Sequence, residues 1–458
     1  MKYMGPFLKI STLTKESIQN QLIHFSKESL KHIILNSKCG ITTPINSYKL
    51  KNIPNFDINI FKRNSPLLCV YKKANPKLIK EKDSFSWDES TFKREIPITA
   101  NAYMTLSIIK LANYYLSFKD TDTNLYALGE LYSQLAIKQL DFYSSSLRSV
   151  DGLFVDKADT SESSSNIKVQ EITKKFKFSD QALLMCAYYN ASKLKNNEDS
   201  SAYEDFSIDI LKVIKQYKDE IYELSLEEIN RLCYALNIFY MDSKSETCKE
   251  ILFDMSDLLL DKFKDKEDSI DSEKIESLGL MYLNFSYAYD NFSIQKYFDS
   301  KESIYTYLGS LYDVENGVFV RCKENKKDKD IDFSCQDVVM YVLCYLKHDL
   351  EFDASSKILA DIYKNQLVNS GLVLSWPAAP DRKSAERHSN SGMAEETELE
   401  EAYFRLPSIA TPESTELAPV FTKSISYNVK KETFSPGKNT FDSSKNMQLL
   451  YYILNSLM

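Results

Sequence analysis

Asp151-Gly152-Leu153-Phe154-Val155 leads, through a polar loop, to Phe178-Ser179-Asp180-Gln181-Ala182-Leu183. The same grammar returns twice. Glu315-Asn316-Gly317-Val318-Phe319-Val320 leads to Phe333-Ser334-Cys335-Gln336-Asp337-Val338, and Ser370-Gly371-Leu372-Val373-Leu374 leads to Phe441-Asp442-Ser443-Ser444. Each unit has an acidic or polar residue and a glycine that turn the chain, a short extended apolar piece, then a Ser-capped helix start. Recurrence at one point of a larger alternation indicates a repeated helical hairpin.

That alternation runs the length of the chain. Ile98–Phe118, Asp180–Leu194, Glu228–Tyr240, Lys274–Tyr289, Ser334–Leu346 and Asn446–Leu457 are helical segments apolar on most faces. Such a helix must be surrounded by other helices. Between them fall Lys15–Asn36, Leu125–Ser146, Tyr203–Ile221, Glu246–Phe263, Ile294–Tyr312 and Ala354–Leu367, each with one apolar stripe and one charged face. In Tyr203–Ile221, Phe206, Ile210, Val213, Ile214 and Tyr217 share a side, with Lys212, Lys215 and Lys218 largely opposite. The economical way to bury this pattern is an inner ring of helices inside an outer one; an open superhelical array is the alternative. The nearly all-apolar last helix favours closure, because an exposed array end carries a polar cap.

Links from inner to outer helices are short. The long ones, Ser37–Pro97, Leu147–Ser179, Asp313–Phe333 and Val368–Lys445, all run from outer to inner. They therefore share the face that holds the inner-helix N-termini, and long loops are where function concentrates. Within the first, Asn59–Phe61 and Leu67–Lys72 read as strand pieces of a small hairpin, making 38–97 a loop insert. The last is rich in Ser, Thr, Pro and Glu, and 369–443 reads as a flexible flap. The whole of 1–458 is expected to be one domain.

Composition removes several classes. A net charge of −8 with no basic stripe argues against nucleic acid. No window approaches eighteen apolar residues, so no membrane span is expected, and Met1–Ser11 shows no signal peptide. Eight scattered cysteines without CxxC spacing read as buried reduced thiols of a cytoplasmic protein. The four histidines are not grouped at ligand spacing, so no metal is expected. Nucleotide loops, HExxH, GxSxG and paired aspartates are all absent, and no cofactor is called for.

The pattern resembles the six-hairpin (α/α)6 toroid superfamily, which includes glycoside hydrolases and N-acylglucosamine 2-epimerase-like proteins. Asp180-Gln181-Ala182-Leu183-Leu184 is similar to inner-helix starts in some of them. The resemblance covers 15–458 at the level of architecture. It implies an all-α toroid with its site in a funnel at the inner-helix N-termini, and a carbohydrate-active enzyme, a glycoside hydrolase or sugar isomerase/epimerase, taking a small saccharide. The alternative is a non-catalytic helical scaffold with a protein partner.

If the ring closes, these first turns converge: Thr99, Asn101 and Tyr103; Ser179, Asp180 and Gln181; Glu227, Glu228 and Arg231; Glu273, Lys274 and Glu276; Ser334, Gln336 and Asp337; Lys445 and Asn446. Glycoside hydrolysis needs two carboxyls. Asp180 and Asp337, in matching repeats, are the catalytic candidates, although an aspartate in a first turn also serves as a cap. Gln181, Gln336, Tyr103 and Arg231 are substrate-binding candidates, the two amides doubling as ties between loop and helix. Trp87 and Trp376, in long loops, are stacking platforms or loop anchors. Asp88, Asp151, Asp156, Glu315, Arg321, Asp332, Asp381, Arg382 and His388 complete the loop candidates.

Overall fold

The computed structural model describes residues 13–50, 53, 56, 58–81, 84–162, 166–194, 199–265, 274–320, 330–381, 384–388, 404 and 414–458. Met1–Ser11, Glu273, Arg321, Cys322, Lys323–Lys329, Arg382 and the side chain of His388 lie outside the described residues. Among those described, the helices are α1 (Lys15–Asn36), α2 (Ile98–Leu116), α3 (Thr123–Ser146), α4 (Phe178–Ser192), α5 (Ser200–Gln216), α6 (Lys218–Tyr222), α7 (Leu226–Ser243), α8 (Glu246–Lys264), α9 (Ile275–Phe292), α10 (Gln295–Ser310), α11 (Cys335–Glu351), α12 (Lys357–Ile362) and α13 (Ser443–Leu457).

Helices α2, α4, α7, α9, α11 and α13 pack on one another in that order, and α13 packs back on α2. The inner ring is closed. Around it α3 packs on α2, α5 on α4, α8 on α7, α10 on α9 and α12 on α11. The chain ends meet: α1 packs on α13, and Gln19 Nε2 donates to the Leu457 carbonyl at 3.0 Å. The fold is an all-α toroid of six hairpins, and the open array is excluded.

Burial follows the sequence pattern. Every residue of α2 from Ala100 to Ile109 is buried, as a helix packed on all sides requires. In α5 only Tyr203, Ser207, Ile210, Leu211 and Ile214 are buried, one stripe at helical spacing. Each fully buried large apolar side chain contributes on the order of 2 kcal/mol. Two outer helices depart from expectation. Tyr217 (φ −97°, ψ 23°) leaves helical geometry, so Tyr203–Ile221 is split into α5 and α6. Beyond Ile362, α12 widens into a π-helical turn over Tyr363–Val368.

The four long links are joined into one belt on the N-terminal face of the ring. Glu95–Ile96 of the first link pairs with Lys157–Asp159 of the second. Lys73–Ala74 pairs with Phe441–Asp442 of the last, and Lys77 bridges Leu417. Ser424–Asn428 of the last link pairs with Asp330–Ser334 of the third. Two expectations are corrected here. Ile58–Phe61 is a 3-10 turn and Leu67–Val70 pairs with Gly40–Thr42, while the small hairpin of 38–97 is formed by Leu78–Glu81 and Ser84–Trp87. The described part of 369–443 is packed rather than loose, because Leu372, Val373, Trp376, Val420 and Phe421 are buried in the core.

Each long link is also held by one carboxamide. Asn101 Oδ1 accepts the Val70 N–H (2.8 Å), while Nδ2 donates to the carbonyls of Val70 (3.2 Å) and Pro97 (2.8 Å). Gln181 holds Phe154 the same way, at 3.0 and 2.9 Å, and reaches the Lys177 carbonyl at 3.4 Å. Asn446 holds Phe421 at 2.9 and 3.0 Å and reaches the Asp442 carbonyl at 3.1 Å. Gln366, in the π-helical turn, holds Phe319 at 2.9 and 3.3 Å. Phe154 and Phe319 are the apolar ends of the repeated Gly-x-Phe turns. Their glycines, Gly152 (φ +82°) and Gly317 (φ +63°), sit where a Cβ is disfavoured.

Removing a clamp strands a buried backbone N–H and C=O. Gln181→Ala should therefore cost about 3 kcal/mol, read as a lower denaturant midpoint with an unchanged slope. Loss of well under about 1 kcal/mol would show that the link is held by other contacts.

Candidate active site at the inner-helix N-termini

The inner helices touch start to start around the whole ring. Thr99 Oγ1 on α2 donates to Asp180 Oδ1 on α4 at 2.6 Å. Glu228 on α7 accepts the Ser179 N–H (2.9 Å) and hydroxyl (3.0 Å) from α4. Arg231 Nη2 on α7 lies 3.6 Å from Glu276 Oε1 on α9. Gln336 on α11 donates through Nε2 to Glu276 and to Gln448 Oε1 (2.8 Å) on α13. Gln448 Nε2 donates to the Tyr452 hydroxyl at 2.9 Å, and that hydroxyl meets Tyr103 on α2 at 3.0 Å. The N-termini thus form one polar mouth, with positive helix ends converging on it.

The mouth is graded in burial. Asp180 is 3% exposed, Gln336 5% and Gln448 4%, while Tyr103 and Tyr452 are fully buried. Arg231 and Glu276 are more open, with side chains 23% and 17% exposed. Burial pushes the Asp180 carboxyl up to about 6, against the pull of Lys177 (3.8 Å) and the Thr99 hydroxyl; Asp156 and Glu228 add to the rise. Burial also raises Glu276, opposed by Arg231 and Lys445. Tyr452 is pushed up to about 12 by burial, eased by hydrogen bonds from Gln448 and Tyr103.

Not every expected site residue faces the mouth with free chemistry. Asp337 is a cap: Oδ2 accepts the N–H (3.0 Å) and hydroxyl (2.7 Å) of Ser334, and Oδ1 accepts the Glu276 N–H (3.2 Å). Gln181 is consumed by its clamp. Trp87 is 1% exposed, donates Nε1 to His32 Nε2 (3.0 Å) and packs edge-on against Phe441. Trp376 is 6% exposed, donates to the Phe404 carbonyl (2.9 Å) and packs on Phe25. Both tryptophans are core anchors, the second of the two readings the sequence left open, and not stacking platforms. Asp180, Gln336, Tyr103 and Arg231 do belong to the connected mouth. Gln448 and Tyr452 escaped the sequence reading; two polar groups four residues apart in the apolar last helix were the available signal.

Among the described residues no group of three or more His, Cys, Asp and Glu is arranged to hold a metal, and no helix is long and apolar enough to cross a membrane. What the mouth offers is carboxyls of unlike environment, a guanidinium, carboxamides and phenols.

No protein-family model matches the sequence, and no curated protein matches it. Among solved structures the chain is similar to a D-mannose isomerase, at 10% identity and a TM-score of 0.49 over 97% of this chain and 99% of that one. It is also similar to an endoglucanase from the termite Nasutitermes takasagoensis, at 9% identity and a TM-score of 0.44 over 98% and 99%. Likeness at this level says nothing of chemistry; the toroid rests on the helix contacts themselves. The class defined here is a six-hairpin helical toroid with a polar mouth at its inner-helix N-termini.

The raised Asp180 carboxyl makes stability depend on pH. The folded protein binds this proton more tightly than the unfolded chain, so the group's contribution is full below 3.8 and is lost as pH rises through about 6. Asp180→Asn should abolish that loss and gain up to ~3 kcal/mol over wild type at pH 8, with no such gain at pH 4. Melting curves at the two pH values test it; a difference independent of pH would refute the burial argument.

Proposed function

We propose that this protein is a carbohydrate-active enzyme acting on a small saccharide at the mouth, with Asp180 as proton donor and Glu276, whose rise by burial is opposed by Arg231 and Lys445, as its ionised partner. The carrying observation is the unlike environment of two carboxyls on one connected rim. Asp180 is enclosed, with Thr99 as its close partner. Glu276 stands beside Arg231 and Gln336, at the more open side. Glycoside cleavage requires such a division, one carboxyl protonated to release the leaving oxygen and one ionised to act at the anomeric carbon. Arg231 and Glu276, the more open groups of the rim, supply the donor and acceptor that hold sugar hydroxyls, and Gln336, Gln448 and Tyr452 position them from behind.

The carboxyl pair serves hydrolysis directly, and isomerisation would draw its base from Glu276, since a carboxylate as well as a histidine takes a carbon-bound proton. His24 and His32 are on α1 and His348 is near the far end of α11, none of them in the rim network. Asp337, spent as a cap, has no part in the reaction.

The test is turnover of a panel of disaccharides, aminosugar and uronate glycosides, with products resolved by chromatography. Asp180→Asn and Glu276→Gln should each lower kcat by about 100-fold or more on the substrate found, with folded melting profiles. Turnover undiminished in both would remove the carboxyl pair. Isomerised rather than cleaved product would convert Glu276 to a base acting on carbon. No turnover and no sugar-induced stabilisation across the panel would leave a non-catalytic toroid.

A further inference from the structure

A polar cavity lies among the long links, lined by none of the mouth residues. It holds about 370 Å³, and its lining includes Tyr71, Phe92, Arg94, Asp159, Ile167 and Lys38. That volume lies toward the small end of ligand sites and suits one or two sugar rings. The site is built on the ladder between Glu95–Ile96 and Lys157–Asp159. The Asp159 N–H donates to the Arg94 carbonyl at 2.9 Å, and the Arg94 guanidinium returns a bond to Asp159 Oδ2 at 2.6 Å. The buried Tyr71 hydroxyl donates to the same carboxylate oxygen, and Asp159 Oδ1 accepts the Ser161 N–H at 2.8 Å. The ladder then enters α2, whose Ile98 N–H donates to Asp156 at 2.8 Å. One rigid frame therefore joins this cavity to the rim.

The chemistry of the walls selects the ligand. Phe92 is half-buried at the wall and offers an aromatic surface for the C–H face of a ring, while Tyr71 is buried behind it with the Arg94 guanidinium over its ring at 5.9 Å. Arg94 is pinned at one end by Asp159, yet its side chain remains 49% exposed, so its orientation is set before a ligand arrives. The cations Lys38 and Arg94 are balanced by Asp159 and by Glu89 and Glu162, both exposed residues of the lining. A phosphate or uronate would meet acids along with the cations. A neutral polyhydroxyl ring meets donors and acceptors on all sides without a charge conflict.

We infer that this cavity is a separate binding subsite for an uncharged sugar residue, serving to hold a saccharide on the loop-rich face away from the reacting centre. The inference rests on the saccharide reading of the mouth for its ligand class alone, and its test does not require turnover. Wild type, Phe92→Ala, Arg94→Gln and Asp180→Asn are titrated calorimetrically with maltose, cellobiose and N,N'-diacetylchitobiose, with methyl glucuronide and inorganic phosphate as charged probes. Amide hydrogen exchange of the wild type is recorded with and without the sugar that binds.

The expected result is binding by at least one neutral disaccharide that weakens about tenfold or more in Phe92→Ala and Arg94→Gln and survives in Asp180→Asn. Exchange should slow at 89–94 and 159–162. Should a variant misfold, the wild-type exchange pattern decides alone. Protection confined to the inner-helix starts, loss of binding in Asp180→Asn alone, or no neutral sugar bound would each overturn the subsite. Equal or tighter binding of glucuronide or phosphate would overturn its ligand class. Sugar retained by Asp180→Asn in a protein that turns nothing over would sink the enzymatic reading and keep this one.

Discussion

Four bidentate carboxamides, Asn101, Gln181, Gln366 and Asn446, fix the long links to the helical ring. Long links carry backbone groups that burial would leave unpaired. A carboxamide offers one acceptor and two donors, so it pairs with an extended residue as a neighbouring strand would. Three of the four sit in the first turns of inner helices and also reach the carbonyl four residues back. Each therefore locks the link to the helix start it precedes. The position of the mouth depends on this lock, since Asp180 is the residue before Gln181.

Closing six helices with their starts together concentrates positive dipole ends at one face. The first turns answer with Asp180, Glu227, Glu228, Glu276 and Asp337. That requirement explains why acids collect here whether or not they react. The structure separates them by what they touch. Glu228 and Asp337 are bonded to the N-termini of neighbouring or own helices, whereas Asp180 meets a threonine hydroxyl and Glu276 meets a guanidinium and an amide. Burial then acts on groups whose partners do not fully compensate it, and Asp180 rises furthest toward neutrality.

Much of this was legible from the chain. The boundaries of α1 and the inner identity of α2 follow from apolar periodicity, which depends on local spacing. The Gly-x-Phe repeats announced turns that the structure confirms with left-handed glycines. The tryptophans stayed open between platform and anchor. A large aromatic in a polar loop has the same local sequence whether it stacks on a ligand or anchors the loop, and only the packing of Phe441 and Phe25 against them decides. Asp337 failed because Ser334-x-x-Asp337 is a capping pair as well as a repeat of the Asp180 region.

By itself the sequence determined the hairpin count, the assignment of helices to inner and outer layers, and the face that carries the long links. Those properties follow from residue spacing along one helix or one turn. The tertiary structure decided that the ring closes, that the links form a single belt, and which carboxyls remain available at the mouth. These depend on contacts between residues far apart in the chain, such as Gln336 with Gln448 and Tyr103 with Tyr452. A side chain's partners, burial and proton affinity are set where helices meet, and no local pattern encodes that meeting.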